Sequence, residues 1–590
     1  MATPNPNPNS NSSPNPNSHS HGPDRVSRLE PKLLTVLREG YSLERFARDA
    51  LAGVVVGVVA LPLAIAFGIA SGVSPEQGLY TAIVAGFLIS ALGGSRVQIG
   101  GPTGAFVVLV YQIVQEHGYA GLAIATLMAG LMLVAMGFAR LGTVIQFVPY
   151  PVTVGFTSGI ALLIAVSQGR DLLGLRMEQV PAEFLEKLAA FAEHAATWNP
   201  WALLIGIGTG AVVWFWPRLT TRVPGPLVGL LAATAAVALF DLPVETVGSR
   251  FGSVSASLPR PQVPVVGWAE LRELVGPAIA IALLAAIESL LSAVVADGML
   301  ETRHRPNMEL VAQGVANLAS PLFGGIPATG AIARTATNIR AGGRTPVAGM
   351  VHAVVLLLIL LFLGEQAAHI PLAALAGILL VVAWNMGEWE HFVHLFRSPR
   401  SDVAVLLTTF VLTVLVDLTV ALQAGIVLAA LLFLRRMATT SEARYITGSL
   451  SEIEDPDDPL AIALREVPPG VEVFEVKGAL FFGAATKFRD ALGSFETPPK
   501  VLILRLRHVL SIDATGLRAI DVLLDECRRK GTTLVLSGVH AQPLVALERS
   551  GLLERIGAEN AHPDIDAALG RAREILTARM TTAGDRAAAV

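Results

Sequence analysis

Long apolar runs alternate with short polar connections over most of this 590-residue chain. Most runs approach the length of about 20 residues that a helix needs to cross a lipid bilayer. The pattern predicts fourteen membrane-spanning segments, near residues 51–71, 77–94, 103–115, 119–139, 151–169, 200–216, 225–240, 277–299, 308–323, 329–340, 346–364, 371–386, 402–419 and 420–436. Charged residues make up only 15% of the chain, against about 25% in soluble domains, so composition also indicates a membrane protein.

The segments form two sets of seven. Shifting the first set by the 226 positions that separate Thr103 from Thr329 places its first, second and fourth members on segments eight, nine and eleven. Because seven is odd, the second set must cross the membrane in the opposite sense, an inverted repeat found in many secondary transporters. We therefore expect an α-helical transmembrane domain over residues 25–440, with repeats at about 45–241 and 270–436.

The charges in the loops predict the orientation. With the N-terminus inside, the cytoplasmic loops hold ten arginines, Arg96, Arg140, Arg218, Arg222, Arg303, Arg305, Arg340, Arg344, Arg397 and Arg400. The opposite loops hold fewer basic residues and many acidic ones, including Glu178, Glu183 and Glu186. The positive-inside rule then predicts a multi-pass protein of the cell (inner) membrane with both termini in the cytoplasm. The net charge of −4 gives no reason to expect a nucleic-acid partner.

The remaining stretches have different compositions. Residues 1–24 are rich in Asn, Pro and Ser, and residues 581–590 form a short tail; we expect both to be disordered. After a linker at 441–465, short β-type runs alternate with helical stretches near 485–493, 515–529, 541–550 and 563–578. This pattern predicts an α/β domain over residues 466–580, with parallel strands.

Two of the fourteen segments are short and follow similar breaks. Residues 98–106 read QIGGPTGAF and residues 324–332 read GGIPATGAI, so Thr103-Gly104-Ala105 and Thr329-Gly330-Ala331 both follow a Gly/Pro break. Irregular backbone at membrane depth survives only where protein buries it or it lines a cavity. Two helix N-termini facing each other there would offer N–H groups, threonine hydroxyls and positive dipole ends to an anion. The alternative is a pair of glycine-rich packing kinks.

Ionisable residues within the segments add candidates. Arg334 lies one helical turn after Gly330, and Glu288 lies in the middle of segment eight. Such residues are functional candidates by default because burying their charge in a membrane is costly. Arg334 would balance an anion, and Glu288 with Ser292, four residues on, would bind H⁺ or Na⁺. The alternative is a structural Glu288–Arg334 ion pair. Asp417 is a weaker candidate, near a segment end.

Several stretches resemble one family of anion transporters. LPLAIAFGIASGVSPEQGLYTAIVAGFLISALGGSRVQIGGPTGAF (61–106), ESLLSAVVADGM (288–299), GGIPATGAIARTATNIRAGGRTPVAG (324–349) and PLAALAGILLVVAWNM (371–386) are similar to the bacterial branch of the SulP (sulfate permease) family. The C-terminal part resembles the STAS domain of that family, with SIDATGLRAI (511–520) at its diagnostic turn. The resemblance covers about residues 40–580.

The resemblance implies a core domain and a gate domain, a homodimer and elevator-type alternating access. It places Phe67 in the substrate site, together with the starts of segments three and ten. Some relatives have hydroxyl residues where this chain has Ala331 and Ala333, which would leave the anion to backbone N–H groups and Arg334. Glu288 stands where an acidic residue of bacterial relatives is linked to H⁺ or Na⁺ coupling.

The STAS-like turn carries one possible regulatory residue. In regulatory STAS proteins a Ser or Thr at this turn is phosphorylated, and here the matching hydroxyl belongs to Thr515. The alternative is a helix cap, because Asp513 and Thr515 both suit a helix N-terminus. The resemblance also allows a cytosolic protein partner for this domain.

These patterns together predict a secondary active transporter, not an enzyme. Its substrate would be a small inorganic or carboxylate anion of the sulfate, bicarbonate or dicarboxylate class, with H⁺ as the coupling ion and no other cofactor or metal. The alternatives are a sodium-coupled bicarbonate symporter, an anion exchanger or channel, a nucleobase carrier, and a membrane-tethered STAS scaffold or sensor. The chain has no Walker A pattern, so nothing in it indicates an ATP-driven pump.

Overall fold

The computed structural model describes residues 29–588 apart from 144–148, 178–179, 221–222, 253–256, 258–260, 263, 265–266, 417, 441, 446–460, 479 and 481–497. The predicted N-terminal tail, Asp417 and the predicted helix at 485–493 lie outside the described residues. The chain divides into two compact units, residues 1–427 and 428–590.

Helices make up almost all of the first unit. Its first half contains α1 (Lys32–Arg38), α2 (Leu43–Ala70), α3 (Pro75–Leu92), α4 (Gly104–Phe138), α5 (Tyr150–Ser167), α6 (Gly169–Leu173), α7 (Phe184–Glu193), α8 (Pro200–Leu219) and α9 (Gly225–Phe240). Its second half contains α10 (Val247–Phe251), α11 (Trp268–Glu273), α12 (Val275–Leu300), α13 (Pro306–Leu322), α14 (Ile332–Arg340), α15 (Pro346–Leu363), α16 (Leu372–Met386), α17 (Trp389–Leu395), α18 (Arg400–Leu415) and α19 (Leu418–Thr440), which continues into the second unit.

Each of the fourteen predicted segments lies on one of these helices. The third and fourth predicted segments share α4, in which Gly118 interrupts the helical backbone with a φ of 66°. Among the described residues, eight helical stretches of 18 to 35 residues are long and apolar enough to cross a bilayer. Several helices begin with proline, as α3, α8, α13 and α15 do, because the first turn needs no donor from that residue.

The helices pack in two groups, each drawn from both halves of the chain. Helices α2, α3 and α4 pack with α12, α13, α14 and α15, which we call the core group. Helices α5, α8 and α9 pack with α16 and α18, which we call the gate group. This arrangement agrees with the division into core and gate domains that the family resemblance implies.

Close helix approach in the core group depends on glycine. A Cβ at Gly130 of α4 would lie 2.9 Å from the carbonyl oxygen of Gly314, and one at Gly314 of α13 would lie 2.7 Å from that of Gly130. Either distance is too short for a side chain, so both positions need glycine. Small residues of this kind let membrane helices approach closely. The contact joins the fourth and ninth segments and therefore the two repeats.

The first unit contains two short strands, β1 (Gly100–Gly101) and β2 (Thr329–Gly330), and the second unit contains a five-stranded sheet in the order β3-β4-β5-β6-β7. The strands are β3 (Glu442–Tyr445), β4 (Val471–Lys477), β5 (Val501–His508), β6 (Thr533–Ser537) and β7 (Ala561–His562). Strand β3 is antiparallel to β4, and the other neighbours are parallel, as predicted. The described helices are α20 (Ala514–Arg529), α21 (Ala541–Arg549), α22 (Leu552–Ile556) and α23 (Ile565–Ala588).

Helices cover both faces of this sheet. One apolar cluster joins Phe474, Leu502 and Leu504 to α20, α21 and α22. The other joins Val473 and Ile503 to α23. Because successive strand side chains point to opposite faces, buried strands of this kind are apolar along their whole length. The predicted α/β domain is confirmed.

Two predicted boundaries of this unit are wrong. Strand β3 lies inside the expected linker at 441–465, because the backbone of residues 442–445 pairs with β4 although the sequence there has no apolar alternation. Helix α23 continues to Ala588 through most of the tail expected to be disordered at 581–590. Four of the ten residues at 581–590 are alanine, which favours helix without any apolar stripe.

Candidate functional site

The two broken segments meet in the core group. Residues 100–101 form β1, residues 329–330 form β2, and the two strands pair antiparallel, with Gly100 opposite Gly330 and Gly101 opposite Thr329. The Ala331 N–H also donates to the Ile99 carbonyl at 2.8 Å. Helix α4 begins shortly after β1 and α14 shortly after β2. The structure thus brings the two Gly/Pro breaks to one buried ribbon.

The two helices do not begin at matching positions. Thr103 is the N-cap of α4, which starts at Gly104 as expected. In the second repeat Ala331 is the N-cap and α14 starts at Ile332, so the expectation that this helix begins at Thr329 is wrong. Thr329 and Gly330 are in β2 instead, because the pairing with β1 keeps them extended.

The two threonine hydroxyls also differ. The Thr329 Oγ1 donates a hydrogen bond to the Ala285 carbonyl of α12 at 2.9 Å, which fixes β2 against that helix. The Thr103 Oγ1 is buried and has no hydrogen-bond partner in the described part of the chain. A buried hydroxyl without a partner is costly. Thr103 is therefore available to a ligand, and the expected donor role of Thr329 is not supported.

Gly104 lies at the boundary between the two helix groups. A Cβ at this position would lie 3.3 Å from Ile164 Cδ1 and Met386 Sδ and 3.5 Å from Phe67 Cε1. Phe67 belongs to the core group, whereas Ile164 and Met386 lie on α5 and α16 of the gate group. The structure therefore places Phe67 beside the start of α4, where the resemblance put it. Ala105, the next residue of α4, is buried.

Gly330 has a different environment. A Cβ there would collide with the side-chain amide of Gln98 and would lie 3.2 Å from Ser289 Cα. The Gln98 Nε2 donates to the Ser289 carbonyl at 3.2 Å. Gly330 therefore leaves room for Gln98, and the structure does not support the expectation that its bare backbone faces an anion.

The Arg334 side chain extends from α14 to Pro102, the last residue of the first Gly/Pro break. One of its terminal nitrogens donates to the carbonyl of Pro102, the residue before Thr103. The other, Nη1, is buried without a hydrogen-bond partner among the described residues, and a Cβ at Gly101 would lie 2.7 Å from it. The side chain as a whole is buried. A buried guanidinium with an unused N–H group is a suitable donor to an oxyanion.

Glu288 is a half-buried residue of α12. The described residues include no ion pair between Glu288 and Arg334 and no hydrogen bond to the Glu288 carboxylate. The alternative of a structural Glu288–Arg334 ion pair is therefore not supported. The buried Ser292 hydroxyl donates instead to Thr335 Oγ1 at 3.2 Å. The structure therefore does not pair Ser292 with Glu288. Ser292 helps to hold α14, because Thr335 in turn accepts from the Ile99 N–H at 3.0 Å.

The two alanines at the start of α14 are in different surroundings. Ala331 is buried beside the ribbon, whereas Ala333 is exposed and does not belong to the buried cluster around Pro102. The groups that the structure gathers at the start of α4 are thus Phe67, Thr103, Gly104 and Arg334.

A cavity of about 650 Å³ lies between the core group and the gate group, and we call it the large cavity. Its walls include Ala66 and Val107 of the core group and Leu163 of the gate group. Ala66 and Leu163 adjoin Phe67 and Ile164 in the sequence, and Val107 follows Gly104 by about one helical turn. Phe67, Thr103, Gly104 and Arg334 themselves are not among the residues that line it.

Comparison with known proteins decides the family. A family model described as "Sulfate permease family" matches residues 46–409, and one described as "STAS domain" matches residues 463–568. The first alone covers more than half of the chain. The protein belongs to the sulfate permease family.

This sulfate permease family member has relatives that are named as transporters rather than enzymes. It is 42% identical over 524 residues to "Putative sulfate transporter YvdB" of Bacillus subtilis (strain 168), covering 88% of this chain and 97% of the relative. It is 31% identical over 528 residues to "Bicarbonate transporter BicA" of Picosynechococcus sp. (strain ATCC 27264 / PCC 7002 / PR-6), covering 86% of this chain and 91% of the relative.

The fold of this family member matches a solved structure over almost its whole length. The structure titled "The overall structure of SLC26A9" aligns with a TM-score of 0.82 at 18% sequence identity, covering 93% of this chain and 94% of that chain. At this level of identity the likeness concerns the fold alone.

Sequence reasoning missed four residues near the ribbon. Ile164 and Met386 are ordinary apolar residues, and Gln98 lies in a loop, so none of them carried a local signal. His352 is different, because it is a fully buried histidine within the apolar helix α15. Its ring lies behind β1, with Cε1 3.5 Å from a Cβ at Gly86. A polar residue inside a membrane segment is a recognised signal that the sequence did offer.

The STAS-domain turn contains a helix cap and an exposed hydroxyl group. The Asp513 side chain accepts a hydrogen bond from the Gly516 N–H at 2.8 Å and is the N-cap of α20. Thr515 lies in the first turn of the helix and is exposed. The capping role thus belongs to Asp513, and phosphorylation of Thr515 stays a prediction.

Proposed function

We propose that this sulfate permease family member is a secondary active transporter of a small anion of the sulfate, bicarbonate or dicarboxylate class. The observation that carries the proposal is a pair of buried groups near Pro102, Thr103 Oγ1 and Arg334 Nη1, neither of which has a hydrogen-bond partner among the described residues. An oxyanion accepting from both would supply the hydrogen bonds that these donors lack. The printed names of the two relatives, a sulfate and a bicarbonate transporter, support the same class of substrate.

The position of this site supports alternating access by an elevator movement. Phe67, Thr103, Gly104 and Arg334 all belong to the core group, while Ile164 and Met386 face them from the gate group. A rigid displacement of the core group along the gate group would carry the bound anion across the membrane together with the residues that bind it. This is the kind of rigid-body rocking or gating of one bundle against the other that inverted-repeat transporters use.

Proteoliposomes containing the full-length protein test the proposal. We expect labelled sulfate, bicarbonate or fumarate to accumulate when an inward proton gradient is imposed, and not to accumulate in protein-free vesicles. A sodium gradient in place of the proton gradient tests the alternative of a sodium-coupled bicarbonate symporter. Uptake only against an internal anion would indicate an exchanger. No uptake of any of the three anions under any gradient would contradict the proposal.

Glu288 is the residue we propose for coupling. It is half-buried on α12, has no ion-pair partner in the described residues, and lies one turn from Ala285 and Ser292, which hold β2 and α14. A proton taken up at Glu288 would remove a negative charge near the anion, so proton and anion would each favour binding of the other.

The substitution Glu288→Gln isolates this role, because glutamine resembles the protonated acid and cannot release a proton. We expect the variant to bind and exchange anion but to lose accumulation driven by the proton gradient. Glu301→Gln, at the end of the same helix, is a control for the loss of one carboxylate. Full gradient-driven accumulation by Glu288→Gln would remove Glu288 from coupling.

The cytoplasmic position of both termini and the assembly as a homodimer are part of the same proposal. The positive-inside distribution of arginines supports the first. Accessibility of cysteines introduced near residues 30 and 580 to a membrane-impermeant thiol reagent would test the position of the termini, and light scattering of detergent-solubilised protein would test the homodimer.

If removal of residues 440–590 left a folded protein with unchanged uptake, the alternative of a STAS scaffold with an inactive membrane part would be excluded.

A further inference from the structure

The gate group meets the start of α4 with two apolar side chains. Ile164 of α5 and Met386 at the end of α16 are the gate-group residues beside Gly104, because a Cβ there would lie 3.3 Å from Ile164 Cδ1 and from Met386 Sδ. This distance is inside the ordinary carbon contact distance of about 3.5–4.0 Å. The space between Gly104 and the gate group therefore does not hold a methyl group without a shift of its neighbours. An oxyanion or a carboxylate is larger and does not pass there in this conformation.

Neither side chain is suited to bind an anion. Isoleucine has no polar atom, and the methionine thioether is only a weak hydrogen-bond acceptor. Ile164 is fully buried, and Met386 is half-buried. The donors that we propose for the anion, Thr103 Oγ1 and Arg334 Nη1, belong to the core group. The gate group thus faces the start of α4 with an apolar surface.

The large cavity stops before this contact on two helices. Along α4 the residues that line it begin at Val107, about one turn after Gly104. Along α16 they end at Leu379. At 1.5 Å per residue, Met386 lies about 10 Å beyond that last lining residue. Both helices are described over their whole length, so the cavity does not extend past the contact along either of them.

The other two helices show the same limit. Along α2 and α5 the lining residues begin at Ala66 and Leu163, which directly precede Phe67 and Ile164. Toward its other end the cavity is lined by Glu116 of α4, an exposed residue. The cavity is therefore open to solvent on the side of Glu116, and the contact with the gate group lies toward its opposite end.

The helices that carry the two gate-group side chains are joined by a buried hydrogen bond. Ser158 of α5 is fully buried, and its Oγ donates to the carbonyl of Gly387, the residue directly after Met386. Helices α5 and α16 also pack against each other. Ile164 and Met386 therefore belong to one packed part of the gate group.

We propose that Ile164 and Met386 form an apolar barrier on the gate group, which closes against Gly104 and keeps the bound anion from passing between the two groups until the core group moves. The inference rests on the proposed function and names two gate-group residues on which coupled transport depends. Apolar constrictions stop ions because they offer no replacement for the hydration shell and close by losing their water. Passage of the anion would then require movement of the core group.

The concentration dependence of uptake tests the barrier in the full-length protein. Proteoliposomes loaded with unlabelled sulfate, bicarbonate or fumarate take up the labelled anion whether the protein is a symporter or an exchanger. We expect Ile164→Ala and Met386→Ala to add a component of uptake that rises in proportion to the anion concentration, because an opened barrier lets anion pass without movement of the core group. At about ten times the wild-type KM, their initial rate should be about threefold or more above that of the wild type.

Two further variants are matched controls for the loss of an apolar side chain. Leu163→Ala acts one residue from Ile164, at a position that lines the cavity and not the contact with Gly104. Met386→Leu keeps the volume and the apolar character at the contact. We expect no proportional component of uptake in either variant.

A double variant tests whether the barrier closes at Gly104. Gly104→Ala places a methyl group 3.3 Å from Met386 Sδ and should slow uptake. Adding Met386→Ala removes the thioether and should raise the rate at least to that of the wild type. Adding Leu163→Ala to Gly104→Ala should leave uptake slow.

The possible results separate the barrier from the proposed function. Folded Ile164→Ala and Met386→Ala proteins with saturating, wild-type uptake would contradict the barrier and leave the proposed function intact. A proportional component of equal size in Leu163→Ala would indicate general loosening of the helices and would also contradict it. If the alanine variants do not fold, Ile164→Val removes a single methyl group and should still show a smaller proportional component. A wild type that transports none of the three anions would contradict the proposed function and the barrier together.

Discussion

The two Thr-Gly-Ala copies occupy equivalent places in the two repeats, and their hydroxyl groups have different uses. In the first copy Thr103 caps α4 and its buried hydroxyl has no partner among the described residues. In the second copy the Thr329 hydroxyl donates to the Ala285 carbonyl and fixes β2 to α12. The first threonine is thus free to bind a ligand, and the second is part of the scaffold.

The two glycines differ in the same way. A Cβ at Gly104 would point toward Phe67 and toward side chains of the gate group, whereas one at Gly330 would collide with Gln98. Repetition of a sequence motif therefore preserves the path of the backbone without preserving its role. The first break supplies the surface of the site, and the second supplies its support and, one turn later, Arg334.

The largest expected effect is on folding. Gly330→Val would force a branched side chain into the space of the Gln98 amide and against Ser289. Overpacking of this kind costs about 1–3 kcal/mol or more, and here it would also disrupt the β1–β2 pairing. We expect loss of the monodisperse peak in size-exclusion chromatography. In the Gly330→Ala background, adding Gln98→Ala should restore the folded peak; a well-folded Gly330→Val would contradict this assignment.

Gly104→Val should separate folding from transport. Its Cβ would meet Phe67, Ile164 and Met386 at 3.3–3.5 Å, distances that small side-chain shifts can accommodate. The additional methyl groups would fill the space at the boundary of the two helix groups. We expect a folded protein without measurable uptake in proteoliposomes, and a partial loss for Gly104→Ala. Normal uptake by Gly104→Val would show that the first break is only a packing feature.

Arg334→Ala should weaken anion binding in a protein that still folds. Losing a charge-assisted hydrogen bond costs about 1.5–3 kcal/mol, which corresponds to a rise in Kd of about 10- to 150-fold. Isothermal titration with sulfate and with bicarbonate measures this rise. Arg340→Ala, an exposed position at the end of the same helix, is the matched control. An unchanged Kd in folded Arg334→Ala would remove this residue from the site.

The smallest effects should come from substitutions of the two threonines. One should change stability, and the other should change anion binding. Thr329→Val removes the hydrogen bond to Ala285 and should lower the free energy of unfolding by about 1 kcal/mol without changing Kd. Thr103→Val removes a hydroxyl that has no hydrogen-bond partner in the described part of the chain, so thermal stability should be unchanged while Kd rises about two- to tenfold. Equal behaviour of the two variants in both assays would contradict the functional difference between the repeats.

The sequence predicted the helices and the place where they break because both depend on local patterns. Each predicted apolar run lies on a helix, and the two Gly/Pro breaks lie at the ribbon. Phe67 lies beside Gly104, and only the family resemblance, not any local signal, pointed to it; its role in the substrate site stays a prediction.

Contacts between distant parts of the chain were not predictable in this way. That Gln98 occupies the space beside Gly330, or that Ser292 donates to Thr335 rather than facing Glu288, depends on how β1, α12 and α14 pack. The shift of the second helix start from Thr329 to Ile332 has the same origin, because pairing with β1 keeps the residues of β2 extended.

The ribbon also has a consequence for biosynthesis. Gly100 pairs with Gly330, a residue made 230 positions later, and at about 5–20 residues per second this delay lasts about 10 to 50 seconds. During that time the backbone groups of residues 100–101 lack the partners that they have in the finished protein, and such groups are costly in hydrocarbon. The first repeat therefore cannot reach its final structure while it emerges from the ribosome, and the two repeats must assemble after the second has been inserted.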